Sequence, residues 1–215
     1  MEAKNADSPE KTPEKVDSKT AILRAAVVEF SRHGLSGTRM EHIASRSGFN
    51  KALVYRYFKD KVSLFGSTMR FKFLRRFKVA EKVPVELSDA LVYWFHRVGA
   101  DEDFLRLIMM EALSDEGEEV SCEKERAEYY VQQEESVRDR QSRGDLDPVF
   151  HPRAAMLAFV ALFSYPHAFP NLTRLMIGHS VGSDEFKAIW ETFLCQFAQK
   201  MRAPATSGES HEDAS

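Results

Sequence analysis

The stretch TRMEHIASRSGFNKALVYRYFKDK, residues 38–61, decides the fold of this chain, because its pattern predicts two short helices joined by a tight turn. Thr38 is followed three residues later by Glu41, the capping-box spacing in which a hydroxyl and a carboxylate each accept a hydrogen bond from a free backbone N–H. The first helix is therefore expected to begin at Thr38. Its apolar stripe has helical spacing and consists of Met40, Ile43 and Ala44.

A sharp reversal follows at residues 47–49, where Gly48 can adopt the left-handed backbone conformation without steric cost. Asn50 is a suitable N-cap for a second helix. At about 100° per residue, Val54 and Phe58 fall on one side of that helix and form the expected buried pair. This arrangement is typical of a helix-turn-helix, whose second helix lies in the major groove of DNA.

The side of the second helix opposite the buried pair carries residues that suit contact with DNA. Arg56 can donate two hydrogen bonds to guanine, and Ala52 or Leu53 can contact a thymine methyl group. Tyr55 and Tyr57 lie on the flanks, where a phenol hydroxyl can donate to a phosphate oxygen. The alternative is an ordinary helical hairpin with exposed tyrosines.

Eight residues of this stretch match, in register, the pattern T-x-x-x-x-I-A-x-x-A-G-V-S-x-G-x-x-Y-x-Y-F-x-x-K, namely Thr38, Ile43, Ala44, Gly48, Tyr55, Tyr57, Phe58 and Lys61. The stretch thus resembles the DNA-binding segment of the tetracycline-repressor (TetR) family of bacterial transcription regulators. Four positions depart from the commonest residues of that pattern: Ser47, Phe49, Asn50 and Ala52. By resemblance, Lys61 reaches a phosphate. The full predicted DNA-binding set is Thr38, Arg39, Asn50, Lys51, Ala52, Leu53, Tyr55, Arg56, Tyr57 and Lys61.

The resemblance implies an all-α fold in which an N-terminal three-helix DNA-binding head is joined by a long fourth helix to a C-terminal helical body for ligand binding and dimerisation. The residues agree, because no strand pattern occurs along the chain. The predicted segments are a disordered tail at 1–17, the head at 18–64, the body at 65–202 and a second disordered tail at 203–215.

Proline and glycine set the expected helix limits. The first helix is expected from residue 18 to residue 33, ended by Gly34, and the last from about 184 to 201. Pro166 and Pro170 are expected to interrupt or kink an almost entirely apolar helix. The predicted buried side of the fourth helix consists of Leu64, Phe65, Met69, Phe73 and Leu74.

The composition is that of a soluble globular protein, with 43% hydrophobic and 29% charged residues. No apolar run is long enough to span a membrane, and the N-terminus lacks the apolar segment of a secretory signal. The two cysteines suggest neither a disulfide framework nor a zinc site. We therefore expect a cytoplasmic protein without a metal or cofactor.

The charge is unevenly distributed. Residues 18–80 contain 14 Lys/Arg and three acidic residues, whereas the whole chain has a net charge of −3. One end is therefore suited to meet a polyanion, and the other is not.

Aromatic and methionine side chains in the body could line a pocket for a flat or apolar molecule. The predicted pocket consists of Phe73, Trp94, His96, Phe104, Met109, Met110, Phe159, Phe163 and His167. The two histidines could orient a polar group of the ligand. Each of these residues also fits a plain core position, because helical spacing of apolar residues is what any helical core requires.

These patterns predict a homodimeric transcriptional repressor of a palindromic operator, released by a small hydrophobic or aromatic effector. Pairing of the last two major helices with their copies in a second subunit follows from the resemblance, and their apolar surface agrees with it. A monomer that buries both helices is the alternative to the dimer. For the function, the alternative is a DNA-bound adaptor regulated by a protein partner. We do not expect an enzyme, since the sequence contains no metal-ligand, nucleophile or phosphate-loop motif.

Overall fold

A computed structural model describes residues 17–113 and 121–204, and within these ranges the chain forms ten α-helices and no strand. The helices are α1 (Ser18–Gly37), α2 (Met40–Ser47), α3 (Lys51–Tyr57), α4 (Lys61–Ala80), α5 (Leu87–Gly99), α6 (Glu102–Ala112), α7 (Glu123–Ser142), α8 (Pro152–Ala168), α9 (Pro170–Ile177) and α10 (Asp184–Lys200). The all-α prediction is confirmed. Most of the predicted tails, residues 1–16 and 205–215, lies outside the described residues.

A first hydrophobic core joins α1, α2, α3, α4 and α6. Its largest fully buried side chains include Phe30, Ile43 and Leu64. The ring of Phe30 meets that of Phe65 edge to face, with the centroids 5.1 Å apart. This core crosses the predicted boundary after residue 64, because Phe65 of α4 and Leu107 of α6 belong to it. The first three helices thus share one core with α4 and α6.

A second hydrophobic core lies between α5, α7, α8 and α10, with α5 packed against both α8 and α10. Phe95 of α5 and Phe186 of α10 are almost completely buried there, with their ring centroids 6.2 Å apart. The predicted last helix is confirmed within one residue at its end. No helix within the described ranges is long and apolar enough to cross a bilayer.

Three details differ from the predictions. The backbone breaks at Gly34 as expected, with φ 66°, but helical geometry resumes and α1 extends to Gly37. Helix α8 continues through Pro166 to Ala168, so the interruption occurs only at Phe169, ahead of Pro170. Leu74 was expected in the core and is 49% exposed, because at about 100° per residue it lies on the side of α4 opposite the buried Phe65.

Candidate nucleic-acid interface and internal cavity

The turn between α2 and α3 has the predicted chemistry. Gly48 ends α2 in the left-handed conformation, with φ 76°. Asn50 caps α3, because its Oδ1 accepts a hydrogen bond from the backbone N–H of Leu53 at 2.8 Å. Val54 and Phe58 are buried, as predicted, and fix the inner side of α3. Because Val54 and Phe58 face the core, the opposite side of α3 faces the solvent.

The predicted capping box at Thr38 is wrong. Helix α2 begins at Met40, and the Thr38 side chain is buried, with its hydroxyl donating to the carbonyl oxygen of Gly34 at 2.7 Å. The carbonyl oxygen of Glu29 lies 3.2 Å from the same hydroxyl. Glu41 accepts a hydrogen bond from Lys51 of α3. Thr38 therefore ties α1 to the segment before α2, and its hydroxyl points away from solvent.

The outer surface of α3 combines cations with phenol rings. Lys51, Ala52, Tyr55, Arg56 and Tyr57 are exposed, and Leu53 is half-buried. The ammonium group of Lys51 lies 5.7 Å from the ring centroid of Tyr55, and the guanidinium of Arg56 lies 5.8 Å from that of Tyr57. These cation–ring contacts restrict the long side chains.

Two further predicted residues lie beside this surface. Arg39 is exposed immediately before α2 and has no carboxylate partner among residues 17–113 and 121–204. Lys61 opens α4, and its Nζ donates to the carbonyl oxygen of Ser36 at 3.2 Å. Both cations are therefore near the start of α2, the end of a helix at which backbone N–H groups favour an anion.

The acidic residues Glu41 and Asp60 do not oppose the positive charge of this region. Glu41 is paired with Lys51, whose hydrogen bond lowers the pKa of the Glu41 carboxyl. Asp60 caps α4, with its Oδ1 accepting from the backbone N–H of Ser63 at 2.7 Å, and this bond lowers the pKa of Asp60. Both carboxylates are thus ionised and already engaged, which leaves the remaining cations free to contact a polyanion.

The third acid of the basic segment, Glu29, is a residue that sequence reasoning missed. Its side chain is 5% exposed in α1 and accepts a hydrogen bond from Nε of Arg46 in α2 at 2.7 Å. His33 and His42 lie 4.0 and 3.8 Å from the same carboxylate. The ion pair of Glu29 and Arg46 fixes the position of α2 relative to α1. Because α2 leads into the turn and α3, it also fixes their position. One sign that Glu29 is buried was present in the sequence. It is an acidic residue directly before the apolar Phe30, in a segment, residues 18–80, that contains 14 Lys/Arg.

An internal cavity of about 300 Å³ lies between α4, α5, α6, α7 and α8. Five of the nine predicted pocket residues line it: Phe73, Trp94, Phe104, Phe159 and Phe163. Sequence reasoning missed the polar part of the wall, which consists of Arg76, Asp101, Tyr129, Tyr130, Gln133, Ser136, Arg140 and Ser164. The missed residues come largely from α7, whose polar sequence gave no sign of an inward-facing side.

The other four predicted pocket residues are not among those that line the cavity. His96 lies on the outside of α5 and pairs with Glu191 at 2.9 Å. Met109 and Met110 of α6 are half-buried. His167 accompanies Phe95, with its Nε2 3.1 Å from the Phe95 carbonyl oxygen, and burial lowers the pKa of its imidazole. The neutral ring then donates this hydrogen bond from Nε2.

Helices α8 and α10 each present apolar side chains to the outside. Leu157 of α8 is 69% exposed, and Ile189 and Phe193 of α10 are 44% and 39% exposed. Small residues lie beside them on the same exposed faces, namely Ala154, Ala158, Ala161 and Ala188. A surface of this kind allows close approach of another helix, because the small side chains leave the backbone accessible.

Comparison with known proteins gives a consistent result. Residues 22–68 match the model of the family described as bacterial regulatory proteins, tetR family. The HTH-type transcriptional repressor SCO4008 of Streptomyces coelicolor is 33% identical over 165 residues, which cover 75% of this chain and 84% of the relative. The structure of SCO4942 from Streptomyces coelicolor has a TM-score of 0.71 at 22% identity and covers 84% of this chain and 98% of its own. The fatty acid degradation regulator FadR from Bacillus halodurans has a TM-score of 0.64 at 18% identity, with coverages of 86% and 96%.

Proposed function

The chain belongs to the TetR family of bacterial regulatory proteins, and from this premise we propose that it is a homodimeric repressor of a palindromic operator, released by a small effector. The observation that carries the proposal is the outer surface of α3, where Lys51, Tyr55, Arg56 and Tyr57 are exposed on a helix whose inner side is fixed by Val54. The similar proteins of this family are transcriptional regulators rather than enzymes.

In the proposed complex, α3 lies in the major groove. Arg56 donates to guanine, and Ala52 or Leu53 contacts a thymine methyl group. Tyr55, Tyr57 and the flanking cations contact phosphates, which positions the helix without reading sequence. Asn50 contributes chiefly as the cap of α3, because its carbonyl oxygen is engaged there.

The proposed dimer forms through the exposed apolar faces of α8 and α10, which together make a four-helix contact with their copies. A two-fold dimer places two copies of α3 in successive major grooves, about 34 Å apart, and therefore reads a palindromic site. Leu157→Glu would place a carboxylate in this contact. Its expected result is a monomer in sedimentation analysis, with loss of operator binding, whereas Val149→Glu, at a position 76% exposed outside both helices, should leave the dimer intact.

The proposed effector binds in the cavity between α4 and α8. Helix α4 connects this cavity to the helix-turn-helix, since Phe73 lines the cavity and Lys61 begins the same helix. An effector can release the operator only if it binds the two states of the dimer with different affinity. A thermal-unfolding screen tests this part, because a ligand of the folded state raises the melting temperature by mass action. Absence of any hit would favour the protein-partner alternative.

The experiment that tests the whole proposal is fluorescence anisotropy with labelled DNA from immediately upstream of the gene. The protein is titrated at several salt concentrations with random DNA as competitor. Binding that survives the competitor, with two subunits per site, is the expected result. Equal binding to random DNA that disappears with salt would leave only the electrostatic contribution and would contradict operator recognition at that site.

A further inference from the structure

A second cavity, of about 780 Å³, opens along the C-terminal half of α4 against α5 and the start of α6. We call it the basic cleft, because its lining includes six cations and two carboxylates: Lys72, Arg75, Arg76, Lys78, Lys82 and Arg97, with Glu81 and Asp101. Asp101 is already paired with Lys72. The remaining five cations therefore face one carboxylate, and the cleft is strongly positive.

The basic cleft adjoins the internal cavity. Four residues line both: Arg76, Trp94, Asp101 and Phe104. The guanidinium of Arg76 lies 4.8 Å from the ring of Trp94 and 5.0 Å from the ring of Phe104, so it is held at the junction between the two spaces. It has no carboxylate partner within the part of the chain that the structure describes. An anion at this junction would meet a fixed cation that two aromatic rings and the hydroxyl group of Tyr129 accompany.

The internal cavity is mostly apolar, and its own charges leave a positive balance. Arg140 donates from Nη2 to the carbonyl oxygen of Pro84 at 2.8 Å and from Nη1 to that of Val85. Arg140 and Arg76 are thus two cations on the wall, whereas Asp101 is neutralised by Lys72. A cationic ligand would be repelled here, and an anionic one would offset the cost of keeping cations in a partly buried site.

The position of the basic cleft separates it from the DNA-facing surface. Arg76 is 15 residues beyond Lys61 on the same helix, which corresponds to about 22 Å along its axis. Several of its cations are exposed, among them Arg75, Lys78 and Lys82, yet they line a concave space next to an apolar one. Cations that only keep a helix surface in contact with water do not need to line a concave space beside an apolar cavity.

We infer that the internal cavity and the basic cleft form one site for an amphipathic anion, whose apolar part occupies the cavity and whose phosphate or carboxylate group lies in the cleft beside Arg76. The inference rests on the proposed function, because it names the ligand class of an effector-responsive repressor. The apolar part contacts Leu91, Phe159 and Phe163, and the anionic group is drawn by Arg76 and the exposed cations of α4.

The test uses isothermal titration calorimetry on the full chain with three probes that share one tail: decyl phosphate, decanol and decyltrimethylammonium, each below its micelle concentration. Decyl phosphate is expected to bind at least about tenfold more tightly than decanol, and the ammonium probe more weakly than decanol. The double variant Lys78→Gln/Lys82→Gln changes exposed residues only and should lose about tenfold in affinity for decyl phosphate, with little change for decanol. Lys124→Gln, an exposed cation outside both spaces, is the matched control and should behave as the unaltered protein.

The other outcomes separate failure of this inference from failure of the proposed function. Equal affinity for decyl phosphate and decanol would refute the anionic class while leaving a small-molecule effector standing. Binding of none of the three probes, with operator binding intact, would refute this inference, and the thermal-unfolding screen would then decide whether any effector binds. A double variant that weakens operator binding but keeps its affinity for decyl phosphate would assign the cleft cations to DNA. Loss of operator recognition by the unaltered protein would refute the proposed repressor alone, because the calorimetry does not depend on DNA.

Discussion

Replacement of Arg46 by Met tests whether the buried carboxylate of Glu29 holds the helix-turn-helix in place. Nε of Arg46 donates to Oε1 of Glu29 at 2.7 Å, and the Glu29 side chain is 5% exposed. Met keeps the length and apolar stem of Arg but removes the donor and the charge. The variant therefore leaves a buried carboxylate without its closest partner.

The expected loss of stability is about 1.5 kcal/mol. A hydrogen bond to a charged group contributes about 1.5–3 kcal/mol, and the lower end applies because the Arg46 side chain is 41% exposed and partly screened by water. His33 and His42, at 4.0 and 3.8 Å, can also replace part of the interaction. For a chain of this size, 1 kcal/mol corresponds to about 2–4 °C, so the melting temperature should fall by about 3–6 °C.

The assay is a double-mutant cycle of Arg46→Met, Glu29→Gln and both changes together, followed by urea and thermal unfolding at one protein concentration. A coupling free energy of about 1 kcal/mol between the two positions is expected. Arg24→Met is the matched control, because Arg24 is an exposed arginine of α1 and its replacement should change stability by less than about 0.5 kcal/mol.

A coupling free energy near zero would refute the reasoning, since it would mean that Arg46 and Glu29 stabilise the fold independently. A loss for Arg46→Met no larger than that for Arg24→Met would have the same meaning. In either case the position of α2 would be set by its apolar contacts, which Met40, Ile43 and Ala44 make.

Arg56→Ala is expected to weaken operator binding by about 1–3 kcal/mol and to relax the preference at one base position, whereas Tyr55→Phe should weaken binding to all operator variants alike in anisotropy titrations. Gly99→Ala is expected to destabilise the protein by about 1–3 kcal/mol in thermal unfolding, because the added Cβ would lie 2.5 Å from Cε1 of His167, and His167→Ala should relieve the clash. Burial lowers the pKa of His167 below its usual value of 6.5. The neutral ring therefore contributes stability that is present above the unfolded-state pKa and is lost as the pH falls through the folded-state pKa. The melting temperature of the unaltered protein should therefore fall further between about pH 7.5 and about pH 5.5 than that of His167→Gln.

Specific results would contradict each of these expectations. Equal losses across every operator variant would exclude base reading by Arg56. A Gly99→Ala protein that unfolds at the original temperature would mean that the imidazole moves away at no cost, despite its contact with the Phe95 carbonyl oxygen. Parallel pH dependence in the His167→Gln variant and the unaltered protein would assign the effect to other groups.

Local chemistry in the sequence was enough to predict the helix-turn-helix. The left-handed turn at Gly48, the Asn50 cap and the buried pair of Val54 and Phe58 each depend on residues within one turn of each other. The outward direction of Tyr55 follows from the same helical period. The prediction failed where a distant partner competed, because Thr38 bonds to the carbonyl oxygens of α1 instead of capping α2.

By itself, then, the sequence determined the all-α class, the course of α2 and α3 and the uneven charge, since these arise from short-range spacing and composition. Tertiary structure alone decided which side chains meet across helices. It paired Glu29 with Arg46, placed Arg76 between two aromatic rings, and brought the polar face of α7 to the cavity that Phe159 also lines. Such contacts join residues far apart in the chain, and helical periodicity gives the direction of a side chain around its own helix but not the identity of the neighbour that it meets.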